Sequence, residues 1–333
     1  MVKAEESFGQ GDSPEGELNT TKNVLVTGSE GFVGVQLCRA LRSAGWQVHG
    51  LDQGPAPSNG LDLVSYRSLN LSKPFAGSLS VERFDVVVNL AAVLPIGQTE
   101  EEAEYKNKLV TTGFVGLLST IETGHVILFS SSSVYNPSRS TPISSATSIS
   151  PISGYGRAKS HQENTLQEYC KSKAIRLAVL RPMPIVGAGR GGIFASLKRA
   201  VQAGSPIPIV GDRQVIFQVA DVQSVVHVAL DVIRNRQEGI FGIGNPNPLS
   251  LSEYLTNLPA DRGKPKLVPV PRRLFKPLIA VAGKARLAGL TPWHSEILLH
   301  PHWFDSSINH PGMMVEPECQ LVINALFGGR VHD

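Results

Sequence analysis

A tyrosine and a lysine lie four residues apart, at Tyr155 and Lys159, in a stretch whose pattern predicts a helix over residues 155–172. Side chains at positions i and i+4 share one helical face, so both groups should project in the same direction. The pKa of a free tyrosine is near 10, and lowering it to about 7 means stabilising the phenolate by roughly 4 kcal/mol. A nearby ammonium group has the right charge to contribute. The pair therefore predicts that Tyr155 is a general base whose pKa is lowered by Lys159.

A run of four serines, residues 130–133, lies at the end of a strand predicted over residues 125–131. Open α/β sheets bind their ligands at the carboxyl ends of the strands. Ser131 is therefore expected to hydrogen-bond the substrate oxygen from which Tyr155 takes a proton. On its own, a tyrosine–lysine pair with this spacing is a feature of a helix surface as often as it is part of a catalytic site. Its position after a serine-rich strand end and a glycine-rich turn favours catalysis.

The glycine-rich turn lies within residues 23–34, where an apolar strand is followed by Thr27-Gly28-x-x-Gly31-x-x-Gly34 and then by a helical pattern. Glycines at such a turn let the backbone approach a pyrophosphate, and the helix directs its free N–H groups at that anion. Asp52 ends the next predicted strand, where a carboxylate accepts hydrogen bonds from ribose hydroxyls and repels a 2′-phosphate. The predicted cofactor is therefore NAD.

The remaining residues predicted to contact the cofactor lie in the glycine turn, at strand ends or in the catalytic segment. Asn70, near the end of a strand predicted over residues 65–71, is expected to bond the adenine edge, and Ala91 and Ala92 are small enough for the cofactor to lie against them. The full set beyond the three glycines and Asp52 is Ser29, Glu30, Phe32, Val33, Asn70, Leu71, Leu90, Ala91, Ala92, Ser130, Tyr155, Lys159 and Pro182.

These residues require an α/β fold of the Rossmann type, a doubly wound parallel sheet, because predicted strands and helices alternate as far as residue 181. The apolar run at residues 84–90 is typical of a central strand buried on both faces. After Pro182, glycine and proline become frequent, which predicts a smaller α+β substrate-binding lobe. The predicted division is a disordered tail (1–21), an NAD-binding domain (22–186 with about 221–244) and the substrate-binding lobe (about 187–220 with 245–333).

Composition narrows the possible partners. The chain has 333 residues and a formal net charge of +3, which is too small to indicate nucleic-acid binding but suits an anionic cofactor or substrate. The three cysteines are widely spaced and suggest no disulfides. The sequence has no run of about 18 apolar residues, so no membrane span is predicted. A cytoplasmic location is therefore expected. The spacing of the C-terminal histidines matches no metal-ligand pattern, and no metal site is predicted.

Taken together, these motifs resemble the extended short-chain dehydrogenase/reductases and, more narrowly, the NAD-dependent epimerase/dehydratase family. The resemblance covers about residues 23–305. It implies Tyr155 as catalytic base, Lys159 as its partner that also binds the nicotinamide ribose, and Ser131 as the residue that holds the hydroxyl. It also implies tightly held NAD and a homodimer formed through the two long predicted helices. The motifs are Thr27-Gly28-x-x-Gly31-x-x-Gly34, Asp52, Asn89-Leu90-Ala91-Ala92, residues 130–135, Tyr155-x-x-x-Lys159 and Leu180-Arg181-Pro182.

Departures from the family pattern bear on the substrate. Sugar-nucleotide dehydratases of this family carry acidic residues at the positions of Ser132 and Ser133, so the serines favour a 4-epimerase. Pro184 replaces an Asn that helps 4-epimerases bind the diphosphate, and Val110 occupies a helix position often held by Asn, with Asn107 one turn earlier. The predicted substrate contacts are Val93, Ser131, Ser132, Tyr155, Pro184, Arg190 as an anion contact and Arg213 as a candidate diphosphate contact.

Three functions remain open from the sequence. The first is a nucleotide-sugar 4-epimerase that oxidises C4 and returns the hydride to the opposite face. The alternative is an NAD(P)-dependent oxidoreductase acting on a hydrophobic alcohol or β-keto compound, which Pro184, Val110 and the apolar stretch 274–290 favour. The third is a dinucleotide-binding protein without activity, against which the Ser131, Tyr155 and Lys159 set argues.

Overall fold

A seven-stranded parallel sheet forms the centre of the protein in a computed structural model. Its strands lie in the order β13 (Gly239–Ile243), β8 (Arg176–Pro182), β7 (His125–Phe129), β5 (Val86–Asn89), β1 (Asn23–Thr27), β2 (Gln47–Asp52) and β3 (Ser65–Ser68). Because β1 lies between β2 and β5, the chain reverses its direction of winding there, which creates a crevice at the carboxyl ends of these strands. The predicted Rossmann fold is confirmed. The structure describes residues 22–55, 60–73, 83–95, 97–139, 141–188, 190, 193–211, 215–256, 265–275, 277–278 and 292–313.

The described elements alternate in the first half of the chain and become shorter in the second. The strands are β1 (Asn23–Thr27), β2 (Gln47–Asp52), β3 (Ser65–Ser68), β4 (Arg83–Phe84), β5 (Val86–Asn89), β6 (Glu122–Thr123), β7 (His125–Phe129), β8 (Arg176–Pro182), β9 (Ile185–Val186), β10 (Pro206–Val210), β11 (Ile216–Phe217), β12 (Ala220–Asp221), β13 (Gly239–Ile243), β14 (Leu249–Ser250) and β15 (Lys266–Val270). The helices are α1 (Phe32–Ser43), α2 (Glu100–Leu118), α3 (Gly154–Ser172), α4 (Ile193–Gln202), α5 (Val222–Arg234), α6 (Leu251–Thr256) and α7 (Pro292–Leu299), with a 3₁₀ turn at Ser132–Val134.

Two apolar cores cover the two faces of the sheet. Successive side chains of a strand point to opposite faces, so Val24 and Val26 of β1 enter one core and Leu25 enters the other. Helices α1 and α5 complete the first core, and α2 and α3 complete the second. This burial on both faces explains why the central strands are continuous apolar runs.

The starts of α2 and α3 lie against each other, and this contact fixes where the helix carrying Tyr155 begins. The Ser153 hydroxyl caps α3 by accepting a hydrogen bond from the Gly156 N–H at 3.1 Å. The Gly154 N–H donates to the Glu100 carboxylate at 2.5 Å. A Cβ on Gly154 would lie 1.9 Å from the Glu100 carbonyl oxygen, so only glycine permits this approach.

Two predicted strands are shorter in the structure because side chains end them. The strand predicted over residues 65–71 ends at Ser68, since Asn70 Oδ1 accepts a hydrogen bond from the Ser72 N–H at 2.9 Å and forms a turn. The run at 84–90 is divided at Asp85, whose carboxylate accepts a hydrogen bond from the Asn23 N–H at 2.8 Å. Its first part, β4, pairs with β6 in a separate two-stranded sheet.

Within the described residues, the chain after β8 adds one strand to the central sheet and forms three two-stranded sheets beside it. Strand β13 pairs with β8, and the pairs β9–β12, β10–β15 and β11–β14 are separate. The division into two lobes remains a prediction. Of the helices in the described ranges, none is long and apolar enough to cross a bilayer.

Candidate active site

The glycine turn after β1 is packed too tightly for any side chain. Gly28 has φ +73°, and a Cβ there would lie 2.8 Å from the Ala91 N atom. A Cβ on Gly34 would lie 2.1 Å from the Gly28 carbonyl oxygen, which holds α1 against the turn. The turn therefore joins the start of α1 to the end of β5, and this cradle fits the pyrophosphate of a dinucleotide.

Asp52 lies at the end of β2, where its carboxylate is positioned by backbone groups. Its Oδ2 accepts a hydrogen bond from the Glu30 N–H at 3.0 Å, and its Oδ1 accepts one from the Gln53 N–H at 2.7 Å. Burial raises the pKa of the Tyr66 phenol, and the negative charges of Asp52 and Glu30 raise it further. This end of the crevice is therefore electronegative and suits ribose hydroxyls rather than a 2′-phosphate.

We expect Asp52→Asn to reduce the preference for NAD over NADP by about tenfold to a hundredfold, because the repulsion of a 2′-phosphate is lost. The measurement is the ratio of the two dissociation constants by titration calorimetry. Glu168→Gln, which removes an exposed carboxylate on α3, should leave that ratio unchanged. An unchanged ratio in Asp52→Asn would contradict this role of Asp52.

The catalytic segment is formed where α3 meets the 3₁₀ turn after β7. A Cβ on Gly156 would lie 2.2 Å from the Ser133 carbonyl oxygen, so the start of α3 rests directly on the turn. Ser131 caps that turn by accepting a hydrogen bond from the Ser133 N–H at 3.1 Å, which leaves its hydroxyl proton to donate. Ser131 and Tyr155 are partly exposed, whereas Ser132 and Ser133 are buried. Two partly exposed residues that carry hydroxyls thus lie at the carboxyl edge of the sheet.

Lys159 is buried below Tyr155. Its side chain is 3% exposed, and its Nζ lies 5.9 Å from the centre of the Tyr155 ring. The ammonium group donates hydrogen bonds to the Phe129 carbonyl oxygen at 2.7 Å and to Gln162 Oε1 at 3.0 Å. Lys159 is therefore anchored to the end of β7 as well as lying on the helical face of Tyr155.

Burial dominates the pKa of Tyr155. Although part of its surface is accessible, Tyr155 is surrounded by protein, and burial raises its pKa to about 12, with the Arg190 charge acting in the opposite direction. Burial lowers the pKa of Lys159 to about 8, which Glu163 opposes. Among the chain's own residues, desolvation of the phenolate therefore exceeds the effect of the nearby cations. The predicted lowering of this pKa by Lys159, to which bound NAD would add a second positive charge, stays a prediction.

Arg190 forms part of the wall opposite the glycine turn. Its guanidinium carbon lies 5.1 Å from the centre of the Phe32 ring, a cation–π contact. A Cβ on Gly187 would lie 2.7 Å from Phe32 Cζ, so this loop packs closely on the turn. The structure thus places Arg190 beside Phe32, where its positive charge acts to lower the pKa of Tyr155. Its role as an anion contact stays a prediction.

Several other predicted cofactor contacts have side chains that are buried or already bonded within the protein. Val33 and Leu71 lie in the apolar cores, so they can offer only backbone atoms. The hydroxyl of Ser130 donates to Glu163 instead of pointing to a ligand, and Asn70 Oδ1 is used by its own turn. Ser29 is fully buried, and its hydroxyl has no hydrogen-bond partner in the described part of the chain.

The segment after β5 is held by two buried amide side chains. Asn89 Oδ1 accepts hydrogen bonds from the Thr27 hydroxyl at 2.7 Å and from the Ala91 N–H at 3.1 Å. Asn107 Oδ1 accepts from the Val93 N–H at 2.9 Å, and its Nδ2 donates to the Val93 carbonyl oxygen at 2.8 Å. These bonds shape the segment that carries Leu90, Ala91 and Ala92.

The sequence does not predict the role of Asn107, because the family pattern places Val110 at the relevant helix position. Val110 is buried in the core instead. An amide on the buried face of an amphipathic helix was the available signal. Of the remaining predicted contacts, Pro182 ends β8, Pro184 accepts a hydrogen bond from the Ala220 N–H at 3.1 Å through its carbonyl, and Arg213 lies outside the described residues.

A buried ion pair beside the catalytic segment was also missed. Glu163 of α3 is 0% exposed and Arg181 of β8 is 4% exposed. Arg181 donates to Glu163 through Nη2 at 2.5 Å and through Nε at 3.0 Å, and it also donates to the Tyr135 hydroxyl. A charged residue in helical register with buried Leu166 and Lys159 was the signal that could have indicated it.

The fold and the site define a class of protein. A glycine turn after β1, an acidic residue after β2, and Ser131 with the Tyr155–Lys159 pair after β7 form the arrangement of a short-chain dehydrogenase/reductase. The chain belongs to the NAD dependent epimerase/dehydratase family, whose profile matches residues 24–244, more than half of its length. The predicted family and the predicted cofactor, NAD, are confirmed.

Comparison with individual proteins supports the family assignment, but these proteins include both epimerases and a dehydratase. The chain is 26% identical to UDP-glucose 4-epimerase of Vibrio cholerae over 283 residues, covering 81% of this chain and 85% of the relative. Its fold is similar to that of UDP-glucuronic acid 4-epimerase from Bacillus cereus in complex with NAD (TM-score 0.70, 20% identity, 91% and 96% coverage). It is also similar to the NDP-hexosamine 5,6-dehydratase TunA (TM-score 0.63, 19% identity, 84% and 96% coverage). The homodimer implied by the resemblance stays a prediction.

Proposed function

We propose that the protein is a nucleotide-sugar 4-epimerase. The observation that carries this proposal is the pair of partly exposed hydroxyl residues, Ser131 and Tyr155, at the sheet edge that also holds the glycine turn. Two hydroxyls at one edge suit a substrate alcohol whose oxygen must be held and deprotonated. The similarity to UDP-glucose 4-epimerase supports a nucleoside diphosphate sugar as the substrate class.

The residues have distinct roles in the proposed reaction. NAD, held by the glycine turn and Asp52, would supply a hydride acceptor and donor for C4, and the positive charge of its oxidised ring would favour the phenolate. Tyr155 takes the proton of the C4 hydroxyl and later returns it, while Ser131 donates a hydrogen bond to the same oxygen. Lys159, anchored at Phe129, supplies positive charge on the helical face of Tyr155. Inversion at C4 requires the keto sugar to present its other face within the site.

The same segment argues against elimination of water. Loss of a hydroxyl requires an acid to protonate the leaving oxygen. Ser132 and Ser133 are 0% and 3% exposed, and their hydroxyls lack hydrogen-bond partners within the described ranges. A serine hydroxyl is too weak an acid for this step, so the site is suited to reversible oxidation at one carbon.

The test of this proposal is to incubate the NAD-loaded protein with a panel of UDP-, GDP- and TDP-sugars and to follow the sugars by NMR. We expect interconversion of C4 epimers for at least one sugar, without a net change in NADH absorbance. Net formation or consumption of NADH with a hydrophobic alcohol or β-keto compound would favour the alternative oxidoreductase. Absence of C4 interconversion across the whole panel would exclude the epimerase.

A further inference from the structure

Two side-chain hydrogen bonds tie α3 to the end of β7. Lys159 Nζ donates to the Phe129 carbonyl oxygen at 2.7 Å. The Ser130 hydroxyl, on the next residue of the strand end, donates to Glu163 Oε1. Lys159 and Glu163 are one helical turn apart, so consecutive residues of the strand end are bonded to consecutive turns of the helix. Such a pair of bonds resists both sliding and rotation of α3 against β7.

The carboxylate of Glu163 is itself held from a third element. Arg181 of β8 binds both of its oxygens, at 3.0 Å and 2.5 Å, and the pair is almost completely excluded from solvent. Arg181 also donates to the Tyr135 hydroxyl, just beyond the 3₁₀ turn. The charged and titratable groups that face Glu163 are thus Lys159 on its own helix, Arg181 on β8 and Tyr135. A carboxylate fixed in this way gives Ser130 a stationary acceptor.

These bonds lie directly beside the catalytic hydroxyls. Ser131 follows Ser130 in the chain, and Tyr155 precedes Lys159 by one turn. We propose that the hydrogen bond from Ser130 to Glu163 positions the strand end and α3 so that Ser131 and Tyr155 meet one substrate oxygen. The catalytic consequence of this inference rests on the proposed function. The Ser130–Glu163 hydrogen bond and its effect on the position of α3 do not depend on the substrate. Ser130 and Glu163 are positioning residues, since they act through their neighbours.

The test uses Ser130→Ala in the NAD-loaded full-length protein, because it removes the bond without changing any charge. Glu163→Gln would instead leave the buried Arg181 cation without its partner. We expect kcat for the sugar to fall by about tenfold, since misplacement of reacting groups by 1 Å can cost about a hundredfold, while KM stays within twofold. Ser130→Thr, which keeps a hydroxyl, should recover most of the loss. Ser172→Ala, at the far end of α3, serves as the control.

Amide hydrogen exchange provides a reading that needs no substrate. In Ser130→Ala, we expect faster exchange confined to residues 129–135 and 154–164, with or without NAD. If the wild-type protein converts no sugar, the proposed function fails. The exchange result alone then tests whether the Ser130–Glu163 hydrogen bond holds the strand end against α3. Unchanged exchange would overturn the inference. So would a variant whose defect is weaker NAD binding with normal exchange, because Ser130 would then be a direct cofactor contact.

Discussion

Replacing Tyr155 with phenylalanine is expected to lower kcat by about 10²–10⁴-fold, the range that a positioned general base contributes. In the proposed reaction the phenolic oxygen exchanges a proton with the substrate, whereas the ring fills the same volume in either residue. KM and the dissociation constant for NAD should change by less than about fivefold, because we expect the glycine turn and Asp52 to make most of the contacts that hold the cofactor. Steady-state kinetics on the epimerised sugar, with calorimetry for NAD, measures both.

The control for this variant is Tyr169→Phe, which changes the same residue type near the C-terminal end of the same helix. Tyr169 packs against the core away from the 3₁₀ turn, so kcat should be unaffected. A Tyr155→Phe protein that retains more than about a tenth of wild-type kcat would show that another group is the base. The pKa of Tyr155, raised to about 12 by burial, makes the reaction dependent on added positive charge.

Replacing Arg181 with methionine is expected to lower the free energy of unfolding by about 3–5 kcal/mol, because Glu163 would remain buried without its ion-pair partner. This is a large fraction of the stability of an ordinary domain. Glu163 is fully buried, so water cannot take the place of the two guanidinium hydrogen bonds. The measurement is urea-induced unfolding followed by circular dichroism, with the midpoint and slope fitted together.

A surface ion pair in the same helical layer is the matched comparison. Arg157 lies 2.6 Å from Glu104, but their side chains are 40% and 21% exposed. Arg157→Met should therefore cost no more than about 1 kcal/mol. Equal losses for the two variants would contradict the view that burial, rather than charge pairing, sets the cost at Arg181.

Much of the fold and the chemistry could be predicted because their signals are local in sequence. The glycine spacing after β1 predicts a turn that only glycine permits, and Gly28 and Gly34 show why: a Cβ would collide with backbone atoms. The four-residue spacing of Tyr155 and Lys159 is fixed by helix geometry. The alternation of apolar strands with amphipathic helices is likewise sufficient for a doubly wound sheet.

The features that sequence reasoning missed depend on contacts between distant segments. Asn107 bonds a loop 14 residues earlier, and Arg181 bonds a glutamate 18 residues away. The pKa of Tyr155 depends on how completely the folded chain surrounds it. The strand predicted through residue 131 ends at Phe129 because Ser131 caps a turn. The buried amide and the buried charge fit the periodic pattern of their own helices, but the partners that they bond have no periodic signature, since each contact results from tertiary packing.

The most direct test of the central claim is to supply a UDP-sugar carrying deuterium at C4 and to follow the label by NMR and mass spectrometry. We predict that the epimerised product retains deuterium at C4, because in the proposed reaction the same hydride leaves and returns within one active site while only the hydroxyl proton passes through Tyr155. Loss of the label to solvent, or its release on free cofactor, would contradict it.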